Sequence, residues 1–256
     1  MHLKSSMSLA GFVGAALLAS SLPALANPVS LSASVGGVPT GSLINLSALP
    51  LGSAGGTAGD ATISLTGSAA LTTGALVTQA MPYLSAGEAA MLGQSPGTDQ
   101  GPYLTTGSTG AVPNSAVTIS FSVPQTFLGL IWGSVDAYNT LQLYSGGVSG
   151  TLVDTITGDQ INPTADGNQG PNGTYGVDIS STLPFDTLLF TSSNYAFEFT
   201  GLTQLSGQQN PPFPVPEPGS LALLGAGLAL LAATRWGYMR RGGLRVRELP
   251  LTSCFI

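Results

Sequence analysis

Between Ser5 and Thr234 the chain has no lysine and no arginine. Its one histidine is His2 and its one cysteine is Cys254. Residues 27–215 therefore carry no cationic side chain and no thiol. They do carry ten carboxylates: Asp60, Glu88, Asp99, Asp136, Asp154, Asp159, Asp166, Asp178, Asp186 and Glu198. The formal net charge of −6 understates this imbalance, because the six basic residues are Lys4 and five arginines at or beyond Arg235. A segment of this kind can make no internal salt bridge or disulfide. Apolar burial and hydrogen bonds must hold it together, against self-repulsion at low salt. At about 190 residues it is long enough for a self-sufficient core.

The same absence limits the chemistry. Hydrolases that activate a serine need a neighbouring base, most often His or Lys. Phosphoryl transfer needs cations around the phosphates. Zinc sites draw mainly on Cys and His. Nucleic-acid binding needs Lys or Arg against the phosphates. None of these can be built from residues 27–215, so no nucleic-acid partner is expected. A pair of carboxylates is the one catalytic device the composition admits, as in glycosidases. Asp178 with Glu198, or Asp136 with Asp186, are the pairs that strands could bring together. The expectation is nonetheless a protein that is not an enzyme.

Short β-favouring runs recur between turn residues: VSLSASV (29–35), ATISLTG (61–67), AVTISFSV (116–123), TFLGLIWG (126–133), NTLQLYSG (139–146), TLVDTITG (151–158), TYGVDIS (174–180), DTLLFTSS (186–193) and YAFEFTGL (195–202). Several alternate strictly. Val117, Ile119, Phe121 and Val123 form one apolar set; Tyr195, Phe197 and Phe199 form another. Period two, with turn signals about every ten residues, predicts an all-β fold, an antiparallel β-sandwich of jelly-roll-like type. SAGEAAMLG (85–93) is the one clear helix outside the ends. Ser85 and Glu88 have capping-box spacing, and Gly93 suits the C-terminal cap. Residues 97–114 read as loop. Residues 27–112 are Gly- and Ala-rich and weakly patterned; poor packing, extra strands and partial disorder all fit them. The better-patterned core is expected over 113–205. No internal repeat has a convincing period.

Both ends read as addresses. Lys4 precedes the apolar stretch 9–19, and Ala24-Leu25-Ala26 is a small-x-small cleavage site. Residues 1–26 are thus expected to be a helical signal peptide, with the mature chain starting at Asn27. Residues 206–214 are a Pro-rich linker. Pro214, Pro216 and Pro218 keep the next segment extended, as a processing enzyme's groove requires. Residues 218–234 are uncharged, and the apolar stretch runs on through Trp236 and Tyr238. At 1.5 Å per residue, about 20 residues approach the roughly 30 Å of a bilayer core. One transmembrane helix is expected, held with Arg240 and Arg241 in the cytoplasm, followed by a tail over 242–256.

The segment PVPEPGSLALLGAGLALLAATRWGYMRR resembles a PEP-CTERM sorting signal: a Pro216-Glu217-Pro218 tripeptide, a short span and an Arg-rich end. On this resemblance Val215, Pro216, Glu217, Pro218, Gly219, Arg240 and Arg241 are the signal residues, within 215–241. Proteins with such tails are exported by Gram-negative bacteria that make exopolysaccharide, and are substrates of exosortase. The resemblance implies an inner-membrane-anchored precursor that is later found at the cell surface or outside the cell. A second resemblance covers residues 126–199, where FLGLIWGSVDAYNTLQLYSGG, YGVDI and FDTLLFTSSNYAFEF are similar to a family of exosortase-dependent surface proteins. These share a strand ending in W-G-S-x-D-x-Y-N, a hairpin and a late aromatic strand. That likeness implies β architecture and a surface location, and no reaction.

Two constellations suggest ligands. Trp132, Asp136, Tyr138 and Asn139 combine aromatic rings with polar groups, as glycan sites do; the alternative is a core tryptophan followed by a turn. Asp154, Asp159 and Asp166, with Asn168, lie in a Gly-rich stretch whose oxygens suit calcium; turn-forming residues are the alternative. The sequence thus predicts an exported surface or matrix protein with a structural or adhesion role and exosortase as processing partner. The rival is a module that binds exopolysaccharide or another envelope glycan, with calcium as its one admissible cofactor.

Overall fold

The computed structural model describes residues 27–107, 112 and 114–205. The expected signal peptide with Ala24 and Ala26, the linker, the sorting signal with its span, and the tail lie outside the described residues. Among the described residues no helix is long and apolar enough to cross a membrane.

The described chain is mostly antiparallel β-structure. Its strands are β1 (Val29–Val35), β2 (Ser42–Leu43), β3 (Gly56–Ala58), β4 (Ala61–Thr66), β5 (Ala70–Thr72), β6 (Tyr83–Leu84) and β7 (Gly97–Thr98). They continue with β8 (Tyr103–Thr105), β9 (Ala116–Gly133), β10 (Asn139–Ser145), β11 (Thr151–Thr157), β12 (Tyr175–Ser192) and β13 (Glu198–Gln204). Two short α-helices, α1 (Ala86–Leu92) and α2 (Gly158–Ile161), and one 3-10 turn (Leu46–Ala48) complete the set. All strands but β6 and β7 hydrogen-bond into one sheet.

The sheet is organised by its two longest strands. β9 and β12 run antiparallel to each other from Tyr175↔Trp132 at one end to Thr191↔Ala116 at the other. Their ladder lapses between Ser180 and Thr187, opposite 120–127. Pro124 and Pro184 sit in that lapse, where the missing proline N–H breaks no ladder bond. Each strand was expected as two runs split by a proline; the proline instead marks an irregularity within one continuous strand. On one side of the lapse, β4 flanks β9 while β10 and then β11 flank β12. On the other side, β1 flanks β12 while β13, β8 and β5 extend from β9. Two wings thus share their central strand pair.

That pair contains a repeat the sequence reading did not find. Val117-x-Ile119-Ser120 and Pro124 recur sixty residues later as Val177-x-Ile179-Ser180 and Pro184. The ladder obeys the same offset: Val117 pairs with Phe190, and Val177 with Leu130. β9 and β12 are therefore related by an approximate two-fold axis through the lapse.

Alternation along each strand sends one face inward. Ile63, Ile119, Leu143 and Leu188 from one wing and Leu71, Leu130, Ile179 and Phe199 from the other belong to a single buried cluster. Phe190 stacks on Phe199 with ring centroids 4.0 Å apart, and Trp132 on Phe197 at 4.1 Å. These aromatic pairs carry the largest apolar area in the core. Residues 128–133 are buried on both faces; on the outer one Ile131 packs against Leu84 of β6 and Ala89 of α1, and Gly129 and Gly133 lie against Pro39 and Pro82. α1 forms as its sequence predicts: Ser85 Oγ accepts the Glu88 N–H, Glu88 accepts the Ser85 N–H, and Gly93 closes the helix at φ 68°. The Gly- and Ala-rich first part contributes β1 to β5 and β8 to the same sheet, and β6 and β7 as a separate two-stranded ladder. The expected loop at 97–114 contains β7 and the buried strand β8.

Candidate functional site

Two connections cross between the wings at the same end of the fold. Residues 134–138 lead from β9 to β10, and residues 193–197 lead from β12 to β13. The Tyr138 hydroxyl donates to the Tyr195 carbonyl and ties one crossing to the other. With a turn around residues 76–79, closed by backbone bonds between Leu76 and Gln79, and a loop at 166–169, they enclose a cavity of about 180 Å³. Gln79, Ala80, Ser134, Asp136, Tyr138, Asp166, Gln169, Tyr195 and Glu198 are among its lining residues. The 166–169 loop is held by the Gly167 N–H on the Val135 carbonyl at 3.1 Å. Gly167 has φ 68°, and a Cβ there would lie 2.6 Å from an Asp136 carboxylate oxygen, so glycine lets the loop pass against that side chain.

Glu198 opens β13 and is only 2% exposed. Its Oε1 accepts the Ala80 N–H at 2.8 Å, and its Oε2 accepts the Ser134 hydroxyl at 2.6 Å. Ser134 is held at φ 37°, a backbone state that L-residues rarely adopt. The bond to the buried carboxylate offsets part of that strain. Burial pushes the Glu198 carboxyl up to about 7; its two hydrogen bonds oppose the rise and the Asp136 charge adds to it. Burial also raises Asp136, with Asp166 contributing. The Tyr138 phenol is raised by burial and by Asp136.

The candidate glycan contacts separate. Asp136 and Tyr138 line the cavity, whereas Trp132 and Asn139 are fully buried. Trp132 follows Leu128 and Leu130 on the inward face of β9, so its ring meets Phe197 and offers no face to a sugar. Its indole N–H and both polar atoms of the Asn139 carboxamide have no protein partner. Neither expected carboxylate pair lines the cavity, but one member of each does: Glu198 and Asp136. Asp178 instead accepts the Thr40 N–H at 2.9 Å and hydroxyl at 2.6 Å. Asp186 caps the β10–β11 turn through the Gly146 and Gly147 N–H groups at 2.7 and 3.0 Å. Although burial opposes it, those bonds hold the Asp186 carboxyl below its ordinary range.

Asp154, Asp159 and Asp166 do not gather into a calcium site. Among the described residues no group of three or more Asp, Glu, His or Cys is placed to hold a metal ion. Asp154 accepts the Thr155 N–H, Asp159 accepts the Thr157 hydroxyl beside α2, and the Asp166 backbone forms an isolated antiparallel β-bridge with that of Asp136 at the cavity.

Sequence reading missed Ser134, Gln79 and Tyr195 as site residues. Ser134 stands inside the W-G-S-x-D-x-Y-N pattern, so a signal was present. Tyr195 was assigned to the core by its alternation with Phe197, yet it is 46% exposed. Gln79 had no local signal. It reaches the cavity only because Leu76–Gln79 folds over the end of β13. A second cavity of about 260 Å³ is lined by Ile44, Asn45, Leu46, Gln94, Gln100 and Thr200 among others, and no charged side chain lines it.

What decides the chain's handling lies beyond this fold. Residues 214–241 match the PEP-CTERM protein-sorting motif. The PEP-CTERM motif spans Val215 to Gly219 and reaches Arg240 and Arg241, in agreement with the resemblance noted above. It supports an exosortase-targeted surface protein, exported and anchored in the membrane as a precursor. No curated protein and no solved structure matches the chain.

Proposed function

We propose that this is a cell-surface or extracellular-matrix protein, cut by exosortase at Pro216-Glu217-Pro218, with a non-enzymatic structural or adhesion role. The PEP-CTERM motif at 214–241 carries this reading. The ectodomain is read as a jelly-roll-like β-sandwich, supported by two wings that share β9 and β12 and bury their inner faces in one core. A non-enzymatic role is favoured because residues 27–215 contain no His or Lys, the usual nucleophile-activating bases, and both oxygens of Glu198 are engaged by Ala80 and Ser134. The test combines Pro216→Ala, Glu217→Ala and Pro218→Ala, followed by cell fractionation and intact-mass analysis. The wild-type protein should reach the surface without its Arg-rich end, and the variant should stay in the membrane at full mass. Identical maturation of the two proteins would sink the proposal.

A second reading, a carbohydrate-binding module for exopolysaccharide or envelope glycan, is favoured by the cavity at Asp136 and Tyr138 with Tyr195 exposed at its rim. Glycan-array binding by the full chain tests it. A Tyr195→Ala variant that binds as well as wild type would remove the support.

A further inference from the structure

We propose that the cavity between the 134–138 and 193–197 crossings binds a primary ammonium group carried on a hexosamine ring. The inference rests on the carbohydrate-binding reading and narrows it to a cationic sugar.

Charge comes first. Asp136, Asp166 and Glu198 all line the cavity, and residues 27–215 contain no Lys, Arg or His to neutralise them. Carboxylates brought together without a counter-ion repel one another, and a ligand ammonium relieves that repulsion. A second, independent observation points the same way. Gln79 forms part of the cavity wall, is 4% exposed, and leaves its carboxamide oxygen without a partner. Its Nε2 is already committed to the Tyr103 hydroxyl at 3.1 Å and the Gly74 carbonyl. A buried acceptor without a donor is costly. The complementary ligand therefore brings N–H or O–H donors as well as positive charge, and an ammonium beside sugar hydroxyls supplies both.

The rim selects the carrier. Val77 is fully exposed at the tip of its turn, and Tyr195 is exposed beside it; both line the cavity. An aromatic ring and an aliphatic group at the mouth of an anionic cavity suit the C–H face of a pyranose, with the amine directed inward. At about 180 Å³ the space is below the range of roughly 300–1,000 Å³ of drug-sized sites. It holds one sugar-sized group and leaves the rest of an oligomer outside. The Tyr138–Tyr195 hydrogen bond joins the two crossings before any ligand arrives, which limits the ordering cost of binding.

The test is isothermal titration of the full chain in detergent micelles with three probes: a glucosamine tetramer, an N-acetylglucosamine tetramer and butylammonium. The expected result is that the glucosamine tetramer binds at least about tenfold tighter than the acetylated one, as loss of a charge pair implies. Asp136→Asn and Asp166→Asn should each weaken it about tenfold, with melting curves confirming that both variants fold. Tyr195→Ala should weaken the glucosamine tetramer and leave butylammonium unchanged. Equal binding of the two tetramers overturns the ammonium assignment while the carbohydrate reading stands. Butylammonium binding as tightly as the glucosamine tetramer overturns the hexosamine assignment. Binding of none of the probes overturns both, and full affinity in folded Asp136→Asn places the site elsewhere and overturns this one.

Discussion

Glu198 shows how one residue couples a structural role to solution conditions. Its carboxyl titrates near 7 in the fold, against an ordinary 4.5. The folded protein therefore holds the proton more tightly than the unfolded chain. The stability this lends is complete below about pH 4.5 and is lost as the pH rises through about 7. The full shift corresponds to roughly 3 kcal/mol. Asp136, Glu88 and Asp99 are raised by burial and act in the same direction, while Asp186 is lowered and acts against them at acid pH. The melting temperature is expected to fall by several degrees between pH 5 and pH 8, and Glu198→Gln should flatten that slope. A melting temperature that climbs over the same interval would contradict the burial of this carboxyl. Trp132 and Tyr195 show what single residues reveal in a sequence. Trp132 alternates with Leu128 and Leu130, and Tyr195 with Phe197 and Phe199, and alternation states which side of a strand a residue takes. It does not state where the strand begins. β13 starts at Glu198, so Tyr195 lies in the preceding crossing and escapes the rule that buries Phe199; Phe197, on the same crossing, is buried by its stack on Trp132.

Elements were legible where local chemistry is self-contained. The Ser85–Glu88 box and Gly93 specify α1 within nine residues, and the structure has both caps in place. Ser85→Ala should cost about 1 kcal/mol, the usual value of an N-cap, measured as a shift in urea midpoint; the Ser85 hydroxyl also donates to the Gly36 carbonyl at 2.8 Å, which adds to the loss. The two long strands were legible only in pieces. Pro124 and Pro184 read as breaks, because proline cannot sit in a central ladder that needs its N–H. Here the ladder lapses at that place, and nothing local announces the lapse. The clue was long-range: V-x-I-S followed by proline occurs twice, sixty residues apart, on partners that pair with each other. Phe190, beyond the second proline, stacks on Phe199 across the core. Phe190→Ala should lose about 3–5 kcal/mol, and a melting shift no larger than that of an exposed-site control would show that the two wings do not share this contact.

At the scale of the whole molecule, the weakly patterned residues 27–112 are the part least predictable from sequence. Their strands are short and meet partners far along the chain, as Val29 does with Ser181 and Ala61 with Phe121. Pairing over such separations leaves little periodic trace in a window of ten residues, and it makes folding slow. β1 covers the outer edge of β12 beside Val177 and Ile179. Deleting residues 27–35 should expose that edge and drive the chain into aggregates, seen as a loss of the monomer peak in size-exclusion chromatography. The cavity is equally a product of the whole, since its walls come from four separated segments. The W-G-S-x-D-x-Y-N pattern marked one of them, and the acid-only composition accounts for the carboxylates in its lining.

β13 lies inside the sheet, between β9 on one side and β8 and β2 on the other. Among the described residues it is also the last strand before the sorting motif. A pull applied at Leu205 along the strand axis meets an interior strand rather than a rim one. Its ladder bonds lie across that axis and are loaded together, in shear, whereas a strand hauled sideways from a rim gives way one bond at a time. A protein tethered by this end is built to bear load where it is fastened.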